Sequence, residues 1–106
     1  MIRRNWFHVL VALAERDLHG AAIADDVLER TGGELRLWPA TLYRALDELV
    51  EAGLVEELGD DERPEGESRR RRYYRVTRKG RVALAEEAGR LEALAHEVRA
   101  RLGDPA

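Results

Sequence analysis

The stretch Pro39-Ala-Thr-Leu-Tyr-Arg-Ala-Leu-Asp-Glu-Leu-Val-Glu-Ala-Gly53-Leu-Val55 decides how this chain folds. Its apolar residues recur at helical spacing on one side: Leu42, Ala45, Leu46, Leu49 and Val50. This periodicity predicts an amphipathic helix with one buried face. Pro39 suits the first helical position, where its missing N–H costs nothing, and Gly53 suits the position just past the last turn. Because two apolar residues follow Gly53 directly, we expect an extended segment immediately after the helix.

The opposite face of the same helix changes character along its length. Near the N-terminus it carries Thr41, Tyr43 and Arg44, whose side chains can hydrogen-bond, stack and pair with phosphate. Toward the C-terminus this face becomes acidic, at Asp47 and Glu51. The pattern is typical of a helix that offers its first two turns to a DNA groove and keeps its acidic end in solvent. The alternative, from this stretch alone, is an ordinary amphipathic core helix.

The composition indicates one soluble domain. The 106 residues suffice for a single modest core, and 37% of them are charged. No apolar run approaches the length of a membrane span, no signal peptide is visible, and there is no cysteine for a disulfide or a thiolate metal site. We therefore expect a cytoplasmic protein with no membrane partner. The net charge of −3 means that nucleic-acid binding would depend on local basic patches such as Arg69–Arg72.

Two further helices are predicted before the central one. The first runs from about residue 5 to 15 and is apolar almost all round, which favours a deep position or a dimer interface. Residues 17–20 are predicted to form a turn, and residues 21–31 a second helix that ends at a glycine pair. Residues 35–37 alternate and predict a very short strand. A short connection between the second helix and the outward third one is typical of a helix-turn-helix.

Two strands are predicted after the central helix. Residues 54–58 and 71–76 have the composition of strands, and the polar segment between them, residues 59–70, is too long for a tight turn. Two strands with a protruding loop, placed directly after the outward helix, predict a wing. The alternative is a hairpin that only covers one edge of the core.

The chain ends in a long predicted helix, residues 78–102, with Thr77 as its N-cap. Its apolar residues alternate steps of four and three, which is the spacing of a coiled-coil seam: Leu84, Ala88, Leu91, Ala95, Val98 and Leu102. At about 36 Å, such a helix exceeds what a domain of this size covers with its own core. A second copy of the chain is therefore the expected partner, and the alternative is a helix folded back onto the first one.

These elements predict an α+β fold, mostly α: a winged helix-turn-helix with a long C-terminal dimerisation helix. Residues 1–77 would form the winged-helix DNA-binding unit, and residues 78–106 the dimerisation helix, within one continuous structure. In the last helix, we expect i, i+4 ion pairs of Glu86 with Arg90 and of Glu97 with Arg101.

Several stretches resemble the PadR family of bacterial transcriptional regulators. They are His19-Gly20 at the second helix, Thr41-Leu42-Tyr43-Arg44-Ala45-Leu46 in the third, Glu51-Ala52-Gly53-Leu54-Val55 after it, Arg72-Tyr73-Tyr74-Arg75-Val76-Thr77 in the second strand, and Gly80 with Leu84 beyond it. The resemblance implies a winged-helix homodimer that binds a pseudo-palindromic operator in double-stranded DNA. It also implies that the protein represses transcription and releases the DNA when a small effector binds.

The chain departs from the family pattern at two places. Ala21 stands where the family usually has an aromatic residue, so no role of such a ring is expected here. Residues 60–62 are acidic and precede the arginine run. Because phosphates would repel this tip, we expect the wing to touch DNA only through its arginine-rich base.

The candidate DNA-binding residues lie in the central helix and at the base of the wing. They are Thr41, Tyr43, Arg44, Arg69, Arg70 and Arg71. Arginine can bond guanine in a bidentate way and can neutralise phosphates. Two alternatives stay open: the Tyr43 ring could pack against the strand that holds Tyr73 and Tyr74, and the acidic tip could neutralise the arginine run.

Signals for other functions are weaker. Trp6 and Trp38 are candidate contacts for a small aromatic or apolar effector at a dimer interface, and ordinary packing is the alternative. The three histidines lie far apart, and no phosphate loop or catalytic constellation appears, so we expect no metal site, no cofactor and no enzyme. The competing class is a winged-helix protein-interaction module that does not bind DNA, which the net negative charge favours.

Overall fold

A computed structural model describes residues 1–64 and 71–103 of the chain. The helices of this part are α1 (Arg4–Leu13), α2 (Gly20–Arg30), α3 (Pro39–Glu51) and α4 (Arg78–Leu102). The strands are β1 (Leu18–His19), β2 (Val55–Glu57) and β3 (Tyr73–Val76), and a 3₁₀ turn covers Asp60–Glu62. Three helices, a two-stranded wing and a long last helix thus follow one another as the sequence predicts, and the winged-helix fold is confirmed.

The strands form one antiparallel sheet in the order β1–β3–β2. Leu18 lies opposite Tyr74 on one side of the central strand, and Val55 lies opposite Val76 on the other. The sheet and the helices bury a single core, whose largest fully buried side chains are Val9, Leu10, Leu13, Ile23, Val27, Leu46, Leu49, Val55 and Tyr74. The core thus fixes α3 between α1, α2 and β2.

The predictions for two connecting segments are wrong. The predicted turn at residues 17–20 is instead β1 followed at once by the first residue of α2, because Leu18 is buried against the core and both β1 residues pair with β3. Residues 35–37 form no strand, and they pair with none of the three strands in the described part of the chain. The segment is held instead by Leu35, whose N–H donates to Thr31 Oγ1 at 3.0 Å, and by Leu37, which is buried in the core.

The end of α3 confirms the predicted glycine stop. Gly53 has a φ of 78°, a left-handed conformation that favours glycine. The N–H of Leu54 donates to the Leu49 carbonyl at 2.9 Å, which satisfies one of the last carbonyls of the helix. The chain therefore passes from α3 into β2 without a linker, and this places the wing beside α3.

The first turns of α4 pack against the body of the molecule. Thr77 caps the helix, because its Oγ1 accepts the Gly80 N–H at 3.0 Å. One predicted ion pair is confirmed, since Arg101 lies 2.8 Å from Glu97. The other is wrong: Arg90 bonds Glu87, through two contacts of 2.7 and 2.8 Å, rather than Glu86. Glu87 lies on the buried side of the helix, where a carboxylate needs a cation, and the hydrogen bond from Arg90 lowers the pKa of Glu87.

The distal part of α4 projects away from the core. The exposed fractions of Leu91, Val98 and Leu102 are 39%, 47% and 81%. The molecule is accordingly 54 Å long but only 28 by 23 Å across. Although the start of α4 contacts α1, the helix as a whole does not fold back onto it, because its distal apolar side chains stay exposed.

Candidate nucleic-acid interface

The N-terminal half of α3 presents a polar face to solvent. Thr41 and Arg44 are exposed, whereas the opposite face is buried through Leu42, Ala45, Leu46 and Leu49. Val50, predicted to belong to the buried face, is exposed at the last turn. Arg44 makes no ion pair within residues 1–64 and 71–103, so its guanidinium donors can meet an external acceptor.

The start of α1 adds positive charge next to this face. A groove of about 270 Å³ runs between the two helices and is lined by Arg3, Arg4, Asn5, Trp6, Thr41, Arg44, Ala45 and Glu48. Glu48 holds one wall together, since it accepts from Arg3 at 3.2 Å and from Trp6 Nε1 at 3.3 Å. Sequence reasoning missed the two arginines as neighbours of Arg44; the only signal was a basic pair ahead of the first helix.

Tyr43 has a structural role in addition to its position on α3. It is half-buried, and its ring and hydroxyl lie against Gly20 so closely that a Cβ at Gly20 would stand 2.8 Å from Tyr43 Cζ. The Arg72 guanidinium lies 5.9 Å from the centre of the same ring. Tyr43 therefore joins α3 to the start of α2 and to the base of the wing, through Gly20 and Arg72.

The described part of the wing base carries two arginines with different surroundings. Arg72 donates to Glu57 at 2.6 Å, and this hydrogen bond raises the pKa of its guanidinium. Arg71 is exposed, and its Nη1 lies 3.3 Å from Nε2 of His19. The predicted contacts Arg69 and Arg70 lie outside the described residues.

The acidic segment 60–62 lies against the sheet through one of its residues. Glu62 accepts from Arg75 at 3.1 Å, and Arg75 also bonds Asp17 at 2.9 Å, next to β1. The bonds to Asp17 and Glu62 raise the pKa of Arg75. Asp60 lies 3.8 Å from Arg63. Within the described residues, Glu62 is thus paired with Arg75 and Asp60 with Arg63.

Tyr74 is the most deeply placed polar side chain near this surface. It is 1% exposed, and within the described part of the chain its hydroxyl finds no hydrogen-bond partner. Burial raises the pKa of Tyr74 to about 12. Deprotonation of this hydroxyl therefore begins at a higher pH than in an exposed tyrosine.

The two tryptophans line separate grooves. Trp6 is half-buried and bonded to Glu48 beside α3. Trp38 is 63% exposed just before α3, with the Arg36 guanidinium 5.0 Å from its ring centre. It lines an apolar groove of about 290 Å³ between α2 and α3, together with Ala21, Ala24, Asp25, Leu28, Arg36, Leu37, Pro39, Leu42 and Tyr43.

The six predicted dimerisation residues share one side of α4 but differ in burial. Leu84 packs against the core and Ala95 is half-buried, while Ala88, Leu91, Val98 and Leu102 are exposed. Across residues 1–64 and 71–103, no helix is long and apolar enough to cross a membrane, and no three metal-binding side chains come together.

The arrangement of an exposed helix face, a flanking wing and a projecting helix defines a winged-helix DNA-binding fold. A protein described as F93 from STIV, a winged-helix DNA-binding protein, has this fold, with a TM-score of 0.69 and 18% identity over 87% of this chain and 91% of its own. A PadR family transcription regulator from Clostridium difficile superposes with a TM-score of 0.78 and 25% identity, over 95% of this chain and 100% of its own.

Sequence comparison places the chain in a family. The sequence model of the transcriptional regulator PadR-like family matches residues 9–86. The transcriptional regulator Rv3488 of Mycobacterium tuberculosis is 40% identical over 91 residues, which cover 86% of this chain and 78% of that protein. The chain therefore belongs to the PadR-like family of transcriptional regulators, which are not enzymes.

Proposed function

We propose that this protein is a homodimeric repressor that binds a pseudo-palindromic operator by inserting α3 into the major groove. The observation that carries the proposal is the exposed pair Thr41 and Arg44 on a helix whose other face is anchored in the core. A helix with its side chains is about 10–12 Å wide, which matches a major groove about 12 Å wide. The rigid anchoring would hold the two side chains in a fixed register against the base edges.

The surroundings of α3 supply the contacts that hold it on the duplex. On one side of α3 lie Arg3 and Arg4, and toward the wing lies Arg71. The phosphates on both sides of the DNA major groove would therefore meet positive charge. These contacts would position the helix, and Arg44 would read sequence, because a guanidinium can bond both acceptors of guanine. Arg69 and Arg70, the sequence-predicted contacts outside the described residues, belong to the same proposal.

The exposed apolar side chains of α4 support the proposed dimerisation through this helix. Leu91, Val98 and Leu102 would be removed from water by the same helix of a second copy, in an isologous contact. A two-fold axis would present two α3 helices, and a separation of about 34–36 Å would let them enter successive major grooves. This geometry is what makes the operator pseudo-palindromic.

Repression and its release by an effector come to this chain from the family resemblance. Of the two tryptophans, Trp38 is the better candidate contact, because its ring is exposed beside an apolar groove whereas Trp6 is bonded to Glu48. A flat, apolar ligand stacked on Trp38 would lie at the start of α3, where it would compete with DNA. Trp38 would then report the ligand directly through its fluorescence in a Trp6→Phe background.

The test is a selection of duplexes from a random-sequence pool, followed by affinity measurements on the enriched site. Arg44→Ala should lose about 1–3 kcal/mol of binding free energy on that site and relax the preference at one base pair of each half-site. Arg99→Ala, which removes the same charge from the exposed side of α4, is the matched control and should bind as wild type. Equal affinity of Arg44→Ala and wild type for the selected and random duplexes would remove Arg44 from the interface.

The competing proposal is a winged-helix module that binds a protein and not DNA. The net charge of −3 and the acidic C-terminal part of the exposed α3 face support it. The same selection separates the two, since a protein-interaction module would enrich no duplex sequence.

A further inference from the structure

Trp38 lies immediately before α3 and is 63% exposed. In most proteins a tryptophan is largely buried, because its ring carries a large apolar surface. Trp38 belongs neither to the buried core of the described residues nor to the side chains that pack against that core. The packing of the core therefore does not account for a tryptophan at this position.

Trp38 also occupies the N-cap position of α3, where its side chain makes no capping hydrogen bond. The residues preferred at this position are Ser, Thr, Asp and Asn, whose side chains accept from the first free N–H groups of the helix. Two other helices have such a cap, His19 in α2 and Thr77 in α4. Helix capping does not account for Trp38 either, and a local preference set aside in this way is typical of a functional site.

The neighbouring Arg36 adds a cation to the ring. Its guanidinium carbon lies 5.0 Å from the ring centre of Trp38, within the range of a cation–π contact. This contact uses the charge of the guanidinium but none of its five N–H donors. Arg36 is exposed and makes no ion pair within residues 1–64 and 71–103. An apolar ring and an available cation thus lie side by side at the start of α3.

The position of Trp38 continues the exposed face of α3. Trp38, Thr41 and Arg44 follow one another at intervals of three residues, and all three are exposed. Residues three apart are neighbours on a helix surface. In a helix-turn-helix, the N-terminal residues of the second helix contact base edges, while the first helix crosses the DNA backbone. Trp38 also lines the groove between α2 and α3, so it stands where base edges and backbone meet.

We infer that Trp38 contacts the C5-methyl group of one thymine in each operator half-site, and that Arg36 binds a phosphate beside it. The inference rests on the proposed DNA binding and adds a base contact separate from that of Arg44. Thymine is the base that presents an apolar group in the major groove, and apolar and aromatic side chains contact this methyl group. Any other base edge would bring polar groups against the ring and leave them without hydrogen bonds.

The thymine methyl group can be removed without any other change to the duplex. Each thymine of the duplex selected from the random pool is replaced in turn by deoxyuracil, which lacks only this methyl group. Burial of one methyl group corresponds to about a fourfold change in affinity. Wild type should therefore bind about fourfold more weakly when the contacted thymine of one half-site is replaced.

Trp38→Ser assigns the methyl contact to the ring. Serine is a preferred N-cap residue, so this variant should keep the start of α3 intact, which urea denaturation checks. Trp38→Ser should bind the thymine and deoxyuracil duplexes equally well. Val82→Ser removes an exposed apolar side chain from α4 and is the matched control, which should keep the fourfold difference.

The outcomes separate this inference from the proposed function. A fourfold difference that persists in folded Trp38→Ser would overturn the thymine contact, as would a wild type that responds to no methyl group of the selected duplex. Absence of binding by the wild type to any duplex would instead overturn the proposed function.

Arg36 is tested separately through the salt dependence of binding. Arg36→Gln should lower the magnitude of the slope of log K against log salt by about 0.9 for each protomer in contact. The effect of the thymine methyl group should remain in this variant, since the ring is still present. Arg99→Gln, which removes an exposed charge from α4, is the control and should leave the slope unchanged. An unchanged slope in Arg36→Gln would remove the phosphate contact from the inference.

A measurement on random duplex tests the position of Trp38 without a selected site. The chain has two tryptophans, so in Trp6→Phe all tryptophan fluorescence comes from Trp38. Acrylamide should quench this fluorescence efficiently in the free protein, because the ring is exposed. Random duplex at low salt should protect the ring from quenching. Equal quenching of the free and the DNA-bound protein would contradict a contact between Trp38 and DNA.

Discussion

Gly80 permits the close approach of α4 to the start of the wing, and its replacement by alanine tests this packing. A Cβ at Gly80 would run into the Leu54 carbonyl oxygen and would stand 3.0 Å from the carbonyl carbon and 2.7 Å from Val76 Cγ2. The carbonyl cannot easily retreat, because it accepts the Thr77 N–H at 3.0 Å. The added methyl group would therefore strain backbone rather than the end of a flexible side chain.

The magnitude follows from two opposing effects. Alanine is favoured over glycine inside a helix by about 1 kcal/mol. Overpacking typically costs about 1–3 kcal/mol, and a clash with backbone falls at the upper end. We expect Gly80→Ala to lower the free energy of unfolding by about 2 kcal/mol. Gly89→Ala on the same helix, where a Cβ would meet nothing within 4 Å, should instead raise it by about 0.5–1 kcal/mol.

Urea denaturation of the two variants and of wild type gives their free energies of unfolding. All three are measured at one protein concentration, because dimerisation would make stability depend on concentration. A Gly80→Ala variant that gains stability as Gly89→Ala does would refute the close approach of α4 to Leu54.

Three further predictions concern the core, the buried tyrosine and α4. Leu46→Ala should destabilise by about 2–5 kcal/mol in urea denaturation, since Leu46 is fully buried, whereas Val82→Ala at an exposed site should stay within about 0.5 kcal/mol of wild type. The pKa of the Tyr74 hydroxyl is about 12 in the folded protein, against an ordinary value of 10.0 in the unfolded chain. Between pH 10 and 12 the unfolded chain therefore loses this proton while the folded protein keeps it. The free energy of unfolding should be unaffected below pH 10 and should fall in this window by at most about 1.4 kcal/mol per pH unit. Tyr74→Phe should be as stable as wild type at pH 7, and above pH 10 its free energy of unfolding should fall less than that of wild type. Urea denaturation of both proteins across this pH range measures the difference, and equal losses of stability above pH 10 would contradict the raised pKa of Tyr74. Leu91→Glu with Val98→Glu should give monomers in sedimentation, while Ala93→Glu with Ala100→Glu on the other side of α4 should remain dimeric, and a folded dimer of the first variant would rule out this interface.

The periodicity of apolar residues was sufficient to predict a secondary-structure element where that element is long and amphipathic. The helical spacing of Leu42, Leu46 and Leu49 and the stop at Gly53 predicted α3 and its junction with β2, because local composition alone determines both. The two residues of β1 escaped prediction, since a two-residue strand has no period and its partner β3 lies far along the chain. A pattern in one segment cannot reveal such a pairing.

The candidate nucleic-acid interface also has a part that the sequence predicts and a part that it does not. Thr41 and Arg44 were predictable as the polar face of one helix, and the structure leaves both exposed. The proximity of Arg4 to Arg44 and of His19 to Arg71 was not predictable, since each pair joins residues far apart in sequence. The choice of Glu87 over Glu86 by Arg90 depends on which side of α4 is buried against the body of the molecule, which the helix sequence alone does not determine.

The most direct test of the account is the affinity of the purified wild-type protein for a random duplex at 50 and 200 mM salt. A dimer that makes about 6–10 phosphate contacts should bind at the lower salt and lose about 10³- to 10⁵-fold in affinity at the higher. Absence of binding at 50 mM salt, or an affinity that salt does not change, would contradict DNA binding through α3 and the base of the wing.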